Sequence, residues 1–337
     1  MNPTLLLSAK VIAEFGPRIN DILAAAPRRI DIVSFTPALQ LAPEQIAALE
    51  AAYYSRDVWE GTEKSVLSPA AQAFWAIIDR AQNLKWMAVY SAGMDQQRYV
   101  DAMKRGVRLT SSAGAQSESV GLACATGVLA LARGVPHWLN AQRRHEWSPL
   151  RGKDVPPDIP GQTAVIVGTG YIGTVIARVL RAAGMKTIGV RRNAAPAEHF
   201  DQVLSPSALD SLLPACDWLV IACPLVPETR NLIDARRLAL MKPAAGIANI
   251  ARGEIIDEAA MVEALKAGRI KQAYLDVFHT EPLPASSPLW DLPNVLISPH
   301  NAGASTGTYA RGVEIFMRNL QRYLQAQPLI NEAAVDS

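Results

Sequence analysis

The sequence predicts an α/β protein made of two doubly wound parallel sheets, and three observations carry that expectation. Short apolar runs of strand length alternate with helix-period segments over nearly the whole chain. That alternation marks a parallel sheet covered by helices on both faces. It runs through two successive series, separated by a long helical stretch and a polar, proline-rich segment. The chain has 337 residues, half of them apolar, which is enough for two buried cores with a shared cleft.

In the first series the strands are expected at Thr4–Leu7, Ile30–Phe35, Leu84–Val89 and Val107–Thr110, with helical patterns around Pro43–Ala52, Pro69–Ala81 and Gln96–Lys104. One long helix is expected from Glu118 to about Arg144. It is followed by a loop or arm over Ser148–Pro160. The second series places strands at Ala164–Val167, Met185–Val190, Trp218–Ala222, Gly246–Ile250, Ala273–Val277 and Val295–Ser298, and the closing segment from Gly303 to about Gln325 reads as a helix. There is no short repeat, no low-complexity tract and no heptad seam.

Composition narrows the function classes. The 33 basic and 31 acidic residues leave a formal charge of +2, which gives no electrostatic case for nucleic acid or an anionic membrane as partner. Cys124, Cys216 and Cys223 lack metal-type spacing and fit small buried residues in a reducing compartment, so no metal site is expected. Leu5-Leu6-Leu7 is soon followed by Glu14 with no cleavage pattern. The longest apolar run, 121–132, is well short of the ~20 residues a membrane span needs. The expectation is a cytoplasmic protein.

The strongest local signal is Val165-Ile166-Val167-Gly168-Thr169-Gly170-Tyr171-Ile172-Gly173, a G-x-G-x-x-G that a strand enters and a helix leaves. Ile172, Val175, Ile176, Val179 and Leu180 then mark one apolar helix face, and Gly184 supplies the stop. Gly168 permits the tight turn, Gly170 lets backbone approach a pyrophosphate, and Gly173 allows close helix–strand packing. The pyrophosphate would rest on N–H groups at the positive end of the helix dipole. After the next strand, NAD-type folds place an acid for the ribose 2′-hydroxyl. Here the chain reads Val190-Arg191-Arg192-Asn193, and Glu198 is the next acid. A guanidinium fork suits a 2′-phosphate, so NADP is expected, with NAD as the alternative.

Three later segments each follow an apolar strand: 249–257 with Arg252, 276–282 with Glu281, and 298–303 with His300. Ligands of open α/β sheets bind outside the carboxyl ends of strands, so the three should converge on one cleft. Reduction of a ketone by hydride leaves negative charge developing on oxygen, which needs a proton donor and a cation. Histidine can give a proton in one direction and take it in the other. A carboxylate beside it favours the imidazolium and fixes the tautomer, and an arginine can pin a substrate carboxylate. Taken singly, Arg252 could brace a turn, Glu281 could be a loop acid, and His300 could satisfy a backbone carbonyl.

At these residues the chain resembles the D-isomer-specific 2-hydroxyacid dehydrogenases. The resemblance covers most of the chain. It takes in Ser91-Ala92-Gly93-Met94-Asp95, the 118–133 helix, the Gly168–Gly173 turn, Cys223-Pro224-Leu225 with Glu228-Thr229, Ala251-Arg252-Gly253, Asp276-Val277 with Glu281-Pro282, and Pro299-His300. It implies catalytic roles for Arg252, Glu281 and His300. Ala92, Gly93 and Arg252 would bind the substrate carboxylate. Asp276 would touch the nicotinamide carboxamide. The cofactor site would also include Thr169, Tyr171, Ile172, Cys223, Pro224, Thr229, Ile250, Ala251, His300 and Gly303.

The resemblance also implies a Rossmann cofactor domain over 111–300, inserted into a smaller flavodoxin-like substrate domain made of 1–110 and 301–337. The arm after Arg133 resembles a dimerisation segment, so a homodimer is expected. Arg191-Arg192, and a chain that stops at Ser337 without a further regulatory domain, look most like glyoxylate/hydroxypyruvate reductases. The expected reaction is hydride transfer between NADPH and C2 of a small 2-keto or 2-hydroxy acid. Two rivals share the fold: a dinucleotide-sensing corepressor-like binding protein, and a phosphite- or formate-type dehydrogenase. The full Arg–Glu–His set favours catalysis over the first.

Overall fold

Among the described residues the paired strands of both sheets run parallel, so loops that leave their carboxyl ends lie on the same edge of each sheet. The computed structural model describes residues 2–62, 66–94 and 96–333. The chain forms two compact units, residues 1–116 with 305–337, and residues 117–304. The expected boundaries fell at 110/111 and 300/301, a few residues earlier at each crossing.

In the first unit β1 (Thr4–Ser8), α1 (Ala9–Ala24), β2 (Asp31–Phe35), α2 (Pro43–Ala47), β3 (Leu49–Tyr54), α3 (Arg56–Trp59), α4 (Pro69–Ile78), β4 (Trp86–Val89), α5 (Gln97–Lys104) and β5 (Arg108–Ser111) follow one another. The sheet order is β2-β1-β3-β4-β5. Successive strand residues point to opposite faces. Leu6, Ala52 and Met87 enter one core with Phe74 of α4, while Leu5, Ala51, Tyr53 and Trp86 enter the other. Burial on both faces is why these strands read as continuous apolar runs.

Two expectations change here. The helix expected over Pro43–Ala52 stops at Ala47, and Leu49–Tyr54 is a central strand registered against β1 and β4. Ala and Glu favour helix locally, but six consecutive buried residues between two strands override that propensity. The sixteen residues of α1, opened by Ser8 accepting from the Val11 N–H, were not expected at all.

The second unit starts with α6 (Ser117–Ala132) and α7 (Val135–Arg143), which are bent by 74° at a break. The single helix expected to Arg144 is interrupted because Gly134 adopts a left-handed φ of 74° and Pro136 starts a new helix. Then come β6 (Thr163–Val167), α8 (Tyr171–Ala182), β7 (Lys186–Val190), β8 (Gln202–Leu204), α9 (Leu209–Leu212), β9 (Trp218–Ile221), α10 (Ala235–Leu240), β10 (Gly246–Asn249), α11 (Glu258–Lys266), β11 (Gln272–Leu275) and β12 (Val295–Ile297). The order β8-β7-β6-β9-β10-β11-β12 puts the topological switch point between β6 and β9, where such sheets open a crevice for ligand. β8 was not anticipated. The final α12 (Thr308–Leu324) belongs to the first unit and starts five residues later than the Gly303 expected. Among the described residues no single helix is long and apolar enough to cross a membrane.

Candidate active site

The glycine turn between β6 and α8 is built as its spacing requires. Gly168 has a φ of 105°, and a Cβ there would stand 2.5 Å from the Ala222 carbonyl oxygen; one on Gly173 would stand 2.0 Å from the oxygen of Gly168. A Cβ on Gly170 would meet nothing within 4 Å. The turn is therefore packed shut on the protein side and open at Gly170. The first turn of α8 adds N–H groups that its own hydrogen-bond ladder leaves over. Thr169 is buried and its hydroxyl has no partner among the described residues, whereas Tyr171 is well exposed and Ile172 half-buried. This cradle fits a dinucleotide diphosphate.

Arg191 and Arg192 leave the carboxyl end of β7, next to that turn. One guanidinium nitrogen of Arg191 donates to the Ala195 carbonyl at 2.6 Å, while its Nε is buried without a partner among the described residues. Arg192 is exposed. Cys223 and Pro224 follow β9 across the switch point. Thr229 donates its hydroxyl to the Pro224 carbonyl at 2.8 Å and accepts from the Val226 N–H, so it shapes this loop from within. Cys223 is buried, which pushes its thiol up to about 11 and keeps it protonated at neutral pH.

The ends of β10, β11 and β12 are sheet neighbours, and their loops lock together. Ile250 and Ala251 are buried, and Arg252 is half-buried at the turn after β10. Asn249 fixes that turn from beneath. Its side-chain oxygen accepts from the Ala251 N–H at 3.0 Å and its amide donates to the Arg252 carbonyl at 2.9 Å. Gly253 sits directly on the next loop, where a Cβ would be 2.1 Å from the Phe278 carbonyl carbon. The Phe278 N–H donates to Glu281 Oε1 at 2.9 Å, and Glu281 Oε2 lies 2.7 Å from His300 Nδ1. Glu281 is only 12% exposed at its side chain, against 49% for His300. A carboxylate is an acceptor, so this contact assigns the proton to Nδ1 and leaves Nε2 to exchange a proton elsewhere.

Asp276 is buried, and its Oδ1 accepts from the Ser298 hydroxyl at 2.6 Å and from the N–H groups of Asn301 and Ala302 at 2.9 and 3.1 Å. This carboxylate is the anchor of the His300 loop, which ends at half-buried Gly303. Ala92 and Gly93 lie in the first unit, after β4. There the Ser91 hydroxyl donates to the Gly93 carbonyl at 3.0 Å and shapes the turn; Asp95 of the same run is outside the described residues.

Asn249 and Ser298 were not singled out in the sequence. An Asn two residues before an N–H it can accept from is a readable turn signal. The partnership of Ser298 with Asp276, 22 residues away, has no local signature.

Comparison with known proteins identifies the family. Residues 125–302, inside the second unit, match the family model described as D-isomer specific 2-hydroxyacid dehydrogenase, NAD binding domain. A glyoxylate reductase of Thermococcus gammatolerans is 32% identical over 268 residues, 77% of this chain and 80% of that one. Among solved structures, a D-isomer specific 2-hydroxyacid dehydrogenase family protein from Aeromonas salmonicida superposes with a TM-score of 0.79 at 30% identity over 99% of both chains. An NADPH-dependent glyoxylate/hydroxypyruvate reductase from Sinorhizobium meliloti, solved with NADP and sulfate, gives 0.75 at 25% identity over 99% of both. With the family model covering more than half its length, and with these relatives, the chain belongs to the D-isomer specific 2-hydroxyacid dehydrogenase family.

Proposed function

We propose that the chain is an NADPH-dependent reductase of small 2-keto acids, with glyoxylate and hydroxypyruvate as its substrate class and, where C2 becomes a stereocentre, the D-2-hydroxy acid as product. The observation that carries the reading is the 2.7 Å pair of His300 Nδ1 and Glu281 beside the Arg252 turn. The second unit holds the dinucleotide, its pyrophosphate on Gly168–Gly173 and its 2′-phosphate at Arg191 and Arg192. When bound, the reduced nicotinamide supplies the hydride that C2 of the substrate accepts. Arg252 pairs with the substrate carboxylate and polarises the neighbouring carbonyl. The family resemblance gives Ala92 and Gly93, in the first unit, as further substrate-binding residues. His300, charged and steadied by Glu281, gives its Nε2 proton to the carbonyl oxygen and becomes neutral. In the reverse direction it takes that proton back. By the resemblance Asp276 would lie against the nicotinamide carboxamide, and the protein works as a homodimer.

The acid/base role is tested by His300→Ala. Turnover with glyoxylate should fall by about 10²–10⁴-fold, while NADPH affinity, read by fluorescence titration, stays within about threefold. Unchanged turnover rejects the assignment.

A further inference from the structure

His300 is held in an unfavourable backbone conformation, with a φ of 49° in the left-handed region that non-glycine residues seldom occupy. Its own N–H is shared between the carbonyls of Asp276, at 2.8 Å, and Ser298, at 3.0 Å. The Glu281 contact fixes the ring, but it does not fix the backbone. The next two N–H groups, of Asn301 and Ala302, converge on the Asp276 carboxylate, which the Ser298 hydroxyl also reaches at 2.6 Å. Because the single proton of Ser298 goes to that carboxylate, the 2.9 Å contact between Ser298 Oγ and Tyr274 Oη must be donated by the tyrosine.

Tyr274 lies on β11, and its ring is buried against α6 at Gly127. A Cβ at that glycine would stand 2.5 Å from the ring. The missing side chain on α6 is thus the space the ring occupies, and the ring carries a hydroxyl to the underside of the His300 loop. Burial pushes this phenol up to about 12, so it remains a donor throughout the neutral and mildly alkaline range.

We propose that Tyr274 and Ser298 are positioning residues for the catalytic histidine: a buried chain from Tyr274 through Ser298 to Asp276 holds the 298–302 loop in the conformation that presents His300. The inference rests on the acid/base reading of His300, and its test separates the two. Tyr274→Phe keeps the ring that fills the Gly127 space and removes only the hydroxyl. Expected are a fall in kcat on the order of tenfold, KM for NADPH within about twofold, and faster amide exchange at Asn301 and Ala302 in the unliganded protein. Ser298→Ala should do the same more strongly, and Ser298→Thr, which keeps the hydroxyl, should restore kcat.

Unchanged kcat in Tyr274→Phe, or a loss of kcat with unaltered exchange in the loop, overturns the proposal. Equal failure of Ser298→Thr and Ser298→Ala does so as well. If His300→Ala retains turnover, the acid/base reading falls by itself, and the exchange data still report whether the chain holds the loop.

Discussion

The Asn249 amide spans two backbone groups of the Arg252 turn, accepting at one end and donating at the other, from a position almost wholly buried. A guanidinium proposed to pair with a substrate carboxylate gains little from charge alone if its backbone wanders, because small misplacements of a catalytic group are costly in rate. Asn249→Ala should therefore lower kcat/KM for the keto acid by about 10–100-fold with the NADPH dissociation constant nearly unchanged. Asn249→Asp, which keeps the acceptor and loses the donor, should fall between. Steady-state kinetics with a parallel cofactor titration decides it, and an unaltered kcat/KM in the alanine variant removes Asn249 from the positioning set.

The cofactor assignment is tested at the same scale. Replacing Arg191 and Arg192 by alanine should raise the NADPH dissociation constant about 10–100-fold, about 1.4–2.7 kcal/mol, and move NADH by less than about threefold. Equal losses for both cofactors would sink the 2′-phosphate assignment. The arginines, the glutamate, the histidine and the glycine turn are legible in sequence because their chemistry is scarce and each follows a strand. Ser298 and Tyr274 are not, because their meaning depends on a carboxylate and a glycine that only the folded sheet and α6 bring near.

Most elements were readable from their period, but α1 was missed although Val11, Ile12, Phe15, Ile19, Ile22 and Leu23 recur at helical spacing. β3 was misread because Leu49–Tyr54 contains Glu50 and two alanines, which suit a helix until the strand's neighbours are known. The fold also explains the acid. Glu50 is 7% exposed, pairs with Arg28 and with Lys85 at 3.0 Å, and accepts from the Tyr323 hydroxyl at 2.9 Å. Burial by itself would raise its carboxyl, but the hydrogen bonds from Arg28, Lys85 and Tyr323 outweigh it and hold the group below the usual carboxylate range.

A depressed carboxyl contributes stability above its unfolded pKa of about 4.3 and loses it as pH falls through the lower folded value. At pH 7 Glu50→Gln should cost about 1–2 kcal/mol, since Arg28 and Lys85, 37% and 67% exposed, turn to water and what is lost is charge-assisted hydrogen bonding. The gap from wild type should narrow progressively below about pH 4. Urea unfolding of both proteins at pH 7, 5 and 3.5 measures it, and a gap that does not change with pH contradicts the ion-pair account.

At the scale of the whole molecule, two α/β units were legible because each sheet repeats the same strand–helix alternation, and for the same reason pattern alone gave no boundary between them. The surface adds something the sheets do not need. Trp147 is 98% exposed, and Trp138, Leu139 and Val155 are each about half exposed, all on α7 and the segment that follows it. Single exposed apolar residues are ordinary, but two tryptophans, a leucine and a valine within 18 residues of one arm mark a surface that water disfavours. Burying them against a second copy of the chain is the homodimer expected from the arm. Wild type should then sediment at twice the 36.4 kDa of one chain. Leu139→Glu with Trp147→Glu places charges on that arm and should shift the protein to monomer at micromolar concentration, since desolvating unpaired carboxylates costs several kcal/mol. The NADPH affinity of the second unit should survive the change. A variant that still sediments as a dimer would mean that the arm faces solvent and the copies meet elsewhere.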